Sequence, residues 1–134
     1  METVVHLDTH VVVWLYAGEL ERFAPSVRKQ LEARDLAISP TVLLELQYLY
    51  EIKRLAEPAS LVIADLEQRI GLRVNDSAFA QVAAAALALS WARDPFDRLI
   101  VAQAIVQAAP LITADRTIRK HYPTAVWSGG RRAK

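Results

Sequence analysis

The chain contains no cysteine. Disulfides and thiolate metal sites are therefore excluded, and a reducing cytoplasm is the expected location. No apolar run approaches the roughly 20 residues of a membrane span. The longest, "VAAAALAL" from Val82 to Leu89, is flanked by polar residues and reads as a buried helix. No membrane contact is expected. The N-terminus "METVVHLDTH" lacks a basic stretch, so it does not read as a secretion signal. Internal repeats, linkers and low-complexity segments are also missing. Acid is missing from one end: between Arg116 and Lys134 there are six Lys or Arg and no Asp or Glu, although the net charge is only +1. A basic end of this kind suits a polyanion, while "GGRRAK" by itself reads as a solubilising tail.

What is present is one domain's worth of chain, 134 residues of which 53% are apolar. Short β-rich runs alternate with helical patterns. Strands are expected at "TVVHL" (Thr3 to Leu7), "LAISP" (Leu36 to Pro40, closed by the proline), "LRV" (Leu72 to Val74), "LITAD" (ending at Asp115) and "AVW". Helices are expected at "THVVVWLYAG", stopped by Gly18, at "PSVRKQLEARD", and at "TVLLELQYLYEIKRL" from about Thr41. Others are expected at "PASLVIADLEQRIG" and at "DSAFAQVAAAALALSWA", capped by Asp76 or Ser77. The last two are "DPFDRLIVAQAIVQAA", ended by Pro110, and "RTIRKHYP". This alternation predicts an α/β fold, a three-layer α/β/α domain around a central parallel sheet. Ligands of such sheets bind beyond the carboxyl ends of the strands. Two strands end in an acid, Asp8 and Asp115, which should share that edge.

Each acid has an ordinary explanation. Asp8 and Asp115 can cap the helices that follow them. In "DPFD", Asp94 is a natural cap, with proline at the first helical position and Asp97 in the first turn. Glu45 sits among Leu43, Leu44, Leu46 and Leu49, where an ionised carboxylate needs a partner or a path to solvent. Thr113, two residues before Asp115, can support a carboxylate or a water with its hydroxyl. Together the acids are harder to dismiss. Carboxylates gathered at element boundaries repel one another unless a cation compensates. With no His or Cys cluster, oxygen ligation selects Mg²⁺ or Mn²⁺, ions that serve phosphodiester chemistry. His6, His10 and His121 are scattered and are not read as ligands. Trp14, Trp91 and Trp127 read as core or interface residues.

"LDTHVVVWL", "SPTVLLEL", "RDPFDRLIVAQA" and "LITAD" occur in an order and spacing that resemble PIN-domain ribonucleases, most of all the VapC toxins of bacterial toxin–antitoxin pairs. The resemblance spans essentially the whole chain. It implies a PIN domain over residues 1–127 followed by a basic tail, 128–134. It implies a Mg²⁺- or Mn²⁺-dependent endoribonuclease whose substrate is RNA and whose partner is a cognate VapB-like antitoxin. On the family pattern the four acids fall on Asp8, Glu45, Asp97 and Asp115, as catalytic residues and metal ligands. Asp94 belongs to the "RDPFDR" variant, and Thr9 and Thr113 match positions that often carry a supporting hydroxyl. Trp91 and Ala92 stand where relatives often have a His beside the arginine. Arg93, Arg98, Arg116 and Arg119 are candidates for RNA backbone contacts. The surplus of apolar helices points to a homodimer.

Three other readings compete. A phosphatase with Asp8 as nucleophile also begins with a strand-end Asp, but "DTH" lacks a second acid two residues on. A receiver-like regulatory domain would cleave nothing with any metal. A silent PIN scaffold would bind RNA or protein only, yet here all four acids are present.

Overall fold

The computed structural model describes residues 4–127. The expected basic tail, 128–134, lies outside them. Five strands, β1 (Val4–Leu7), β2 (Asp35–Ile38), β3 (Arg73–Val74), β4 (Leu111–Ile112) and β5 (Ala125–Val126), form one parallel sheet in the order β3-β2-β1-β4-β5. Seven α-helices connect them: α1 (Thr9–Ala17), α2 (Pro25–Ala33), α3 (Pro40–Glu51), α4 (Ala59–Ile70), α5 (Phe79–Ala86), α6 (Pro95–Val106) and α7 (Arg116–His121). A 3-10 turn at Leu20–Arg22 has no counterpart in the sequence reading.

The strand order decides where a ligand can enter. From β1 the chain steps outward to β2 and β3, then returns across the sheet to β4 and β5 on the other side of β1. The direction of winding reverses between β1 and β4, and the loops that leave these two neighbours diverge. Open parallel sheets bind ligands at such a switch point, outside the strands' carboxyl ends. Here β1 runs directly into Asp8 and β4 into Thr113–Asp115. Leu7 pairs with Ile112, and the Asp8 N–H donates to the Ile112 carbonyl at 3.1 Å, so the two ends are locked in register.

The sheet is sealed by apolar side chains. Val5, Leu7, Ile38, Leu111 and Ile112 are buried with Val11, Val12, Val42, Leu46, Val62, Leu66 and Ile100 from the helices. Trp14, Phe23 and Trp127 pack ring against ring beside this core.

Several element ends differ from the sequence reading, each for a local reason. Pro40 opens α3 rather than closing β2, because the Ser39 hydroxyl caps the helix by accepting the Thr41 N–H at 3.0 Å. Helix α5 begins at Phe79, and neither Asp76 nor Ser77 caps it. The Ser77 hydroxyl instead joins Asn75 and Gln107 in a polar network that includes buried Gln103. The helix also stops at Ala86, and the alanine-rich run buries one face only: Val82, Ala86 and Leu89 are in the core, whereas Leu87 is 78% exposed. Helix α6 ends at Val106, before Pro110, where Ala108 takes φ +53° and the Ala109 N–H turns back to the Ala104 carbonyl. A residue before proline is disfavoured in a helix, so the chain leaves early.

Candidate active site

The edge at the switch point is built by three helix starts, those of α1, α6 and α7, and by one face of α3. Asp8 caps α1: one carboxylate oxygen accepts the Thr9 N–H at 2.8 Å, and the other accepts the Thr113 hydroxyl at 2.6 Å. Asp8 is only 3% exposed and Thr113 is fully buried. Thr113 in turn accepts the Asp115 N–H at 3.0 Å, so a single hydroxyl joins the ends of β1 and β4. Asp115 caps α7 by accepting the Ile118 N–H at 2.9 Å. Glu45 projects from α3 and accepts the Thr9 hydroxyl at 2.5 Å. It is half-buried and faces the site rather than solvent.

Asp94 and Asp97 separate in role. Asp94 caps α6, accepting the Phe96 N–H at 2.7 Å, and is exposed. Asp97, one turn in, is half-buried and lines a cavity of about 340 Å³ together with Asp8, Glu45 and Asp115. Thr9, His10, Val13, Leu49 and Arg54 complete its wall. The structure thus brings Asp8, Glu45, Asp97, Asp115 and Thr9 to one pocket, with Thr113 directly behind Asp8. Asp94 stays off the wall but acts through space.

Electrostatics mark the same acids. The Asp97 carboxyl is pushed up to about 7, first by burial and then by the charges of Asp8, Asp94, Asp115 and Glu45. Glu45 is also raised, by burial, against the lowering effect of the Thr9 hydroxyl and with the charges of Asp8 and Asp94 adding to the rise. The charges that raise these two groups are all carboxylates. The site is therefore short of positive charge.

This has a sign that can be measured. The unfolded chain ionises Asp97 near an ordinary carboxylate value, whereas the fold holds the proton to about 7. Between those values the folded state binds more protons, so its stability falls as pH rises through the window. Metal-free protein is expected to lose melting temperature from about pH 4 to about pH 7, and Asp97→Asn to lose clearly less. Parallel curves for the two proteins would refute the assignment.

Among the described residues, no three acid or histidine side chains stand close enough to form a ready-made metal cage. Mg²⁺ does not require one, since it keeps several waters and takes one or two carboxylates directly. The donor set is all oxygen: both oxygens of Asp8, and one each of Glu45 and Asp115, accept a hydrogen bond that fixes the carboxylate. Such a set fits a hard divalent cation.

Two wall residues escaped the sequence reading. His10 was set aside as isolated, yet its Nε2 accepts the Ala114 N–H at 2.9 Å, which leaves Nδ1 to carry the ring proton toward Asp8, 3.6 Å away. Its ring lies 4.9 Å from that of Trp14. Its place two residues after the strand-end acid was the available signal. Arg54 reaches the pocket from the turn after α3; the basic pair "KR" just past the helix that bears Glu45 was its signal. The four arginines named as RNA contacts do not line the cavity. Arg98 donates to the Ala92 carbonyl at 2.8 Å and braces the turn before α6, while Arg93, Arg116 and Arg119 are exposed. Trp91 stacks on His121 at 4.7 Å, tying that turn to α7.

Residues 5–122 match the PIN domain family. Ribonuclease VapC22 from Mycobacterium tuberculosis is 36% identical over 131 residues, covering 93% of this chain and 99% of its own. Similar folds include a chain of the crystal structure of VapBC2 from Rickettsia felis bound to a DNA fragment from the promoter. It has a TM-score of 0.68 and 21% identity over 93% of this chain and 98% of that one. A toxin–antitoxin complex from Klebsiella pneumoniae gives a TM-score of 0.65 at 19% identity, over 91% of this chain and 95% of that one. A family match across nearly all the described residues, a near full-length relative and an acid-lined pocket at the switch point agree: the chain belongs to the PIN-domain family, in its VapC-type branch.

Proposed function

We propose that this protein is a Mg²⁺- or Mn²⁺-dependent endoribonuclease, a toxin held inactive by a cognate VapB-like antitoxin. The observation that supports this most is the convergence of Asp8, Glu45, Asp97 and Asp115 on one pocket short of positive charge. These four side chains are the ones that would hold one or two divalent ions. When bound, such an ion supplies an activated water and neutralises charge on the phosphate oxygens. The chain's own contribution is positional. Thr113 and the Thr9 N–H hold Asp8 in a single orientation, and the Thr9 hydroxyl does the same for Glu45. Asp97, whose carboxyl rests near 7, gives up its proton readily as positive charge arrives. Hydrolysis adds water across one P–O bond of RNA, leaving a phosphate on one fragment and a hydroxyl on the other.

A phosphatase using Asp8 as nucleophile is disfavoured. His10 occupies the position two residues on from Asp8, where that chemistry needs an acid.

The test is cleavage of total cellular RNA by purified protein, with Mn²⁺, with chelator, and with the product of the neighbouring gene. Cleavage is expected only with the ion and is expected to stop when the neighbour's product saturates it. Cleavage that persists in chelator refutes the metal, and cleavage that ignores the neighbour's product refutes the pairing. No helix of the described residues is long and apolar enough to cross a membrane. We further read the outer faces of α3 to α5, which expose Leu44, Tyr48, Leu61, Phe79 and Leu87, as surface that a homodimer covers. A monomer by light scattering would refute that.

A further inference from the structure

Arg54 is the one Lys or Arg on the wall of the acid-lined pocket among the described residues. It is delivered by a tight reversal after α3. There the Ile52 N–H returns to the Tyr48 carbonyl, the Lys53 N–H to Tyr50, and the Arg54 N–H to Leu49 at 2.8 Å. Lys53 sits at φ +64°, a left-handed conformation that a lysine rarely takes. The turn is thus held in place by three backbone bonds despite that cost. Among the described residues the Arg54 guanidinium forms no ion pair, although four carboxylates share its pocket. A cation beside a site for anionic substrate, with no ion pair of its own among the described residues, can meet an outside anion.

Arg54 also lines a second cavity of about 510 Å³, with Tyr50, Glu51, Lys53, Leu55 and Ala56. The two cavities therefore meet at this side chain. Tyr50 is 38% exposed and offers a ring to the second one. With Lys53 and Arg54 against Glu51, the wall of this cavity carries a net positive charge.

We propose that the second cavity is a nucleotide subsite adjoining the position of cleavage. Arg54 binds the phosphate that links the two positions, and Tyr50 stacks on the neighbouring base. A guanidinium fits a phosphodiester through paired donors, and an aromatic ring takes any base by its face. The subsite rests on the ribonuclease reading and extends it to how the RNA strand leaves the pocket.

The test is equilibrium binding of a short, labelled, single-stranded RNA of mixed sequence, across a salt series with Mg²⁺ present. An Asp97→Asn background keeps the RNA intact. Adding Arg54→Ala is expected to weaken binding about tenfold and to flatten the salt slope by about 0.7, one phosphate's share for a single strand. Arg54→Lys should keep the slope. Tyr50→Ala should weaken binding severalfold with the slope unchanged, and Tyr50→Phe should bind as the parent does. Arg54→Ala with parental affinity and slope would overturn the subsite. So would a loss confined to inhibition by the antitoxin, which would make the cavity a protein contact. Cleavage by Asp97-intact protein is assayed in parallel. If it cleaves RNA while Arg54→Ala binds normally, only the subsite falls; if it cleaves no RNA, the ribonuclease reading falls and takes the subsite with it.

Discussion

Asp97→Asn is expected to abolish RNA cleavage while raising the melting temperature of the metal-free protein. The two effects share one cause. Burial first, and then the charges of four carboxylates, hold the Asp97 carboxyl at about 7. Neutral Asn removes the repulsion at every pH above that of an ordinary carboxylate, so the empty fold gains. The same change removes negative charge where a divalent ion needs it. Cleavage should fall by about two to three orders of magnitude or more, the scale of losing one aligned electrostatic partner of a transition state. The loss should appear in kcat, and Mn²⁺ should stabilise the variant less than the wild type. Asp94→Asn is the control. Asn caps about as well as Asp, so the bond to the Phe96 N–H survives. Because Asp94 lies off the pocket wall and only adds to the charge felt by Asp97 and Glu45, its loss should lower activity modestly. The measurement is cleavage rate and metal-free melting temperature for both variants. Equal activity losses would place Asp94 at the ion, and an active Asp97→Asn enzyme would end the catalytic reading of α6.

That separation of Asp94 from Asp97 was legible in "DPFD", because capping chemistry is local and proline fixes the helix start. The parallel sheet was legible for a related reason: short β-rich runs between longer helical patterns admit few other arrangements. Strand-end acids at Asp8 and Asp115 followed from the same reading. What the sequence hid depended on distant partners. Ser77 was a reasonable cap until Gln107, thirty residues on, claimed its hydroxyl. Ala108 gives no hint that it will enter the left-handed region, where it closes α6 through the bonds of Ala108 and Ala109 back to the Ile105 and Ala104 carbonyls. The alanine-rich run read as buried because periodicity reports which residues are apolar, not which face has a partner. His10 looked isolated because its partner, the Ala114 N–H, is 104 residues away. Arg54 was passed over for arginines nearer the acids in sequence, though the turn after α3 brings it nearer in space.

Asp8→Asn makes the same chemical change as Asp97→Asn at the same pocket, and its effect on stability should have the opposite sign, because a stranded buried hydrogen bond outweighs the relief of charge on Asp97 and Glu45. Asp8 is 3% exposed, and both its oxygens accept hydrogen bonds, from the Thr9 N–H and from the Thr113 hydroxyl. An amide has one oxygen and cannot serve both. If it keeps the Thr9 N–H, its NH₂ faces Thr113, whose hydroxyl already accepts the Asp115 N–H. The hydroxyl can accept a second hydrogen, but its own proton then has no acceptor in a fully buried position. If the amide flips, its NH₂ meets the Thr9 N–H donor to donor. Either way one buried polar group is left unsatisfied, at a cost of about 1–3 kcal/mol. Asp8→Ala loses the α1 cap as well, adding roughly 1 kcal/mol. For a domain of this size the melting temperature of metal-free Asp8→Asn should fall by roughly 3–12 °C, and that of Asp8→Ala further. Both variants should be inactive. Thr113→Val serves as the partner arm: with no hydroxyl to be stranded, Asp8→Asn in that background should cost much less than in the wild type. Melting curves of the metal-free proteins decide the matter. An Asp8→Asn variant as stable as wild type, or equally destabilised with and without Thr113, would show that the Asp8–Thr113 bond does not hold the two strand ends together.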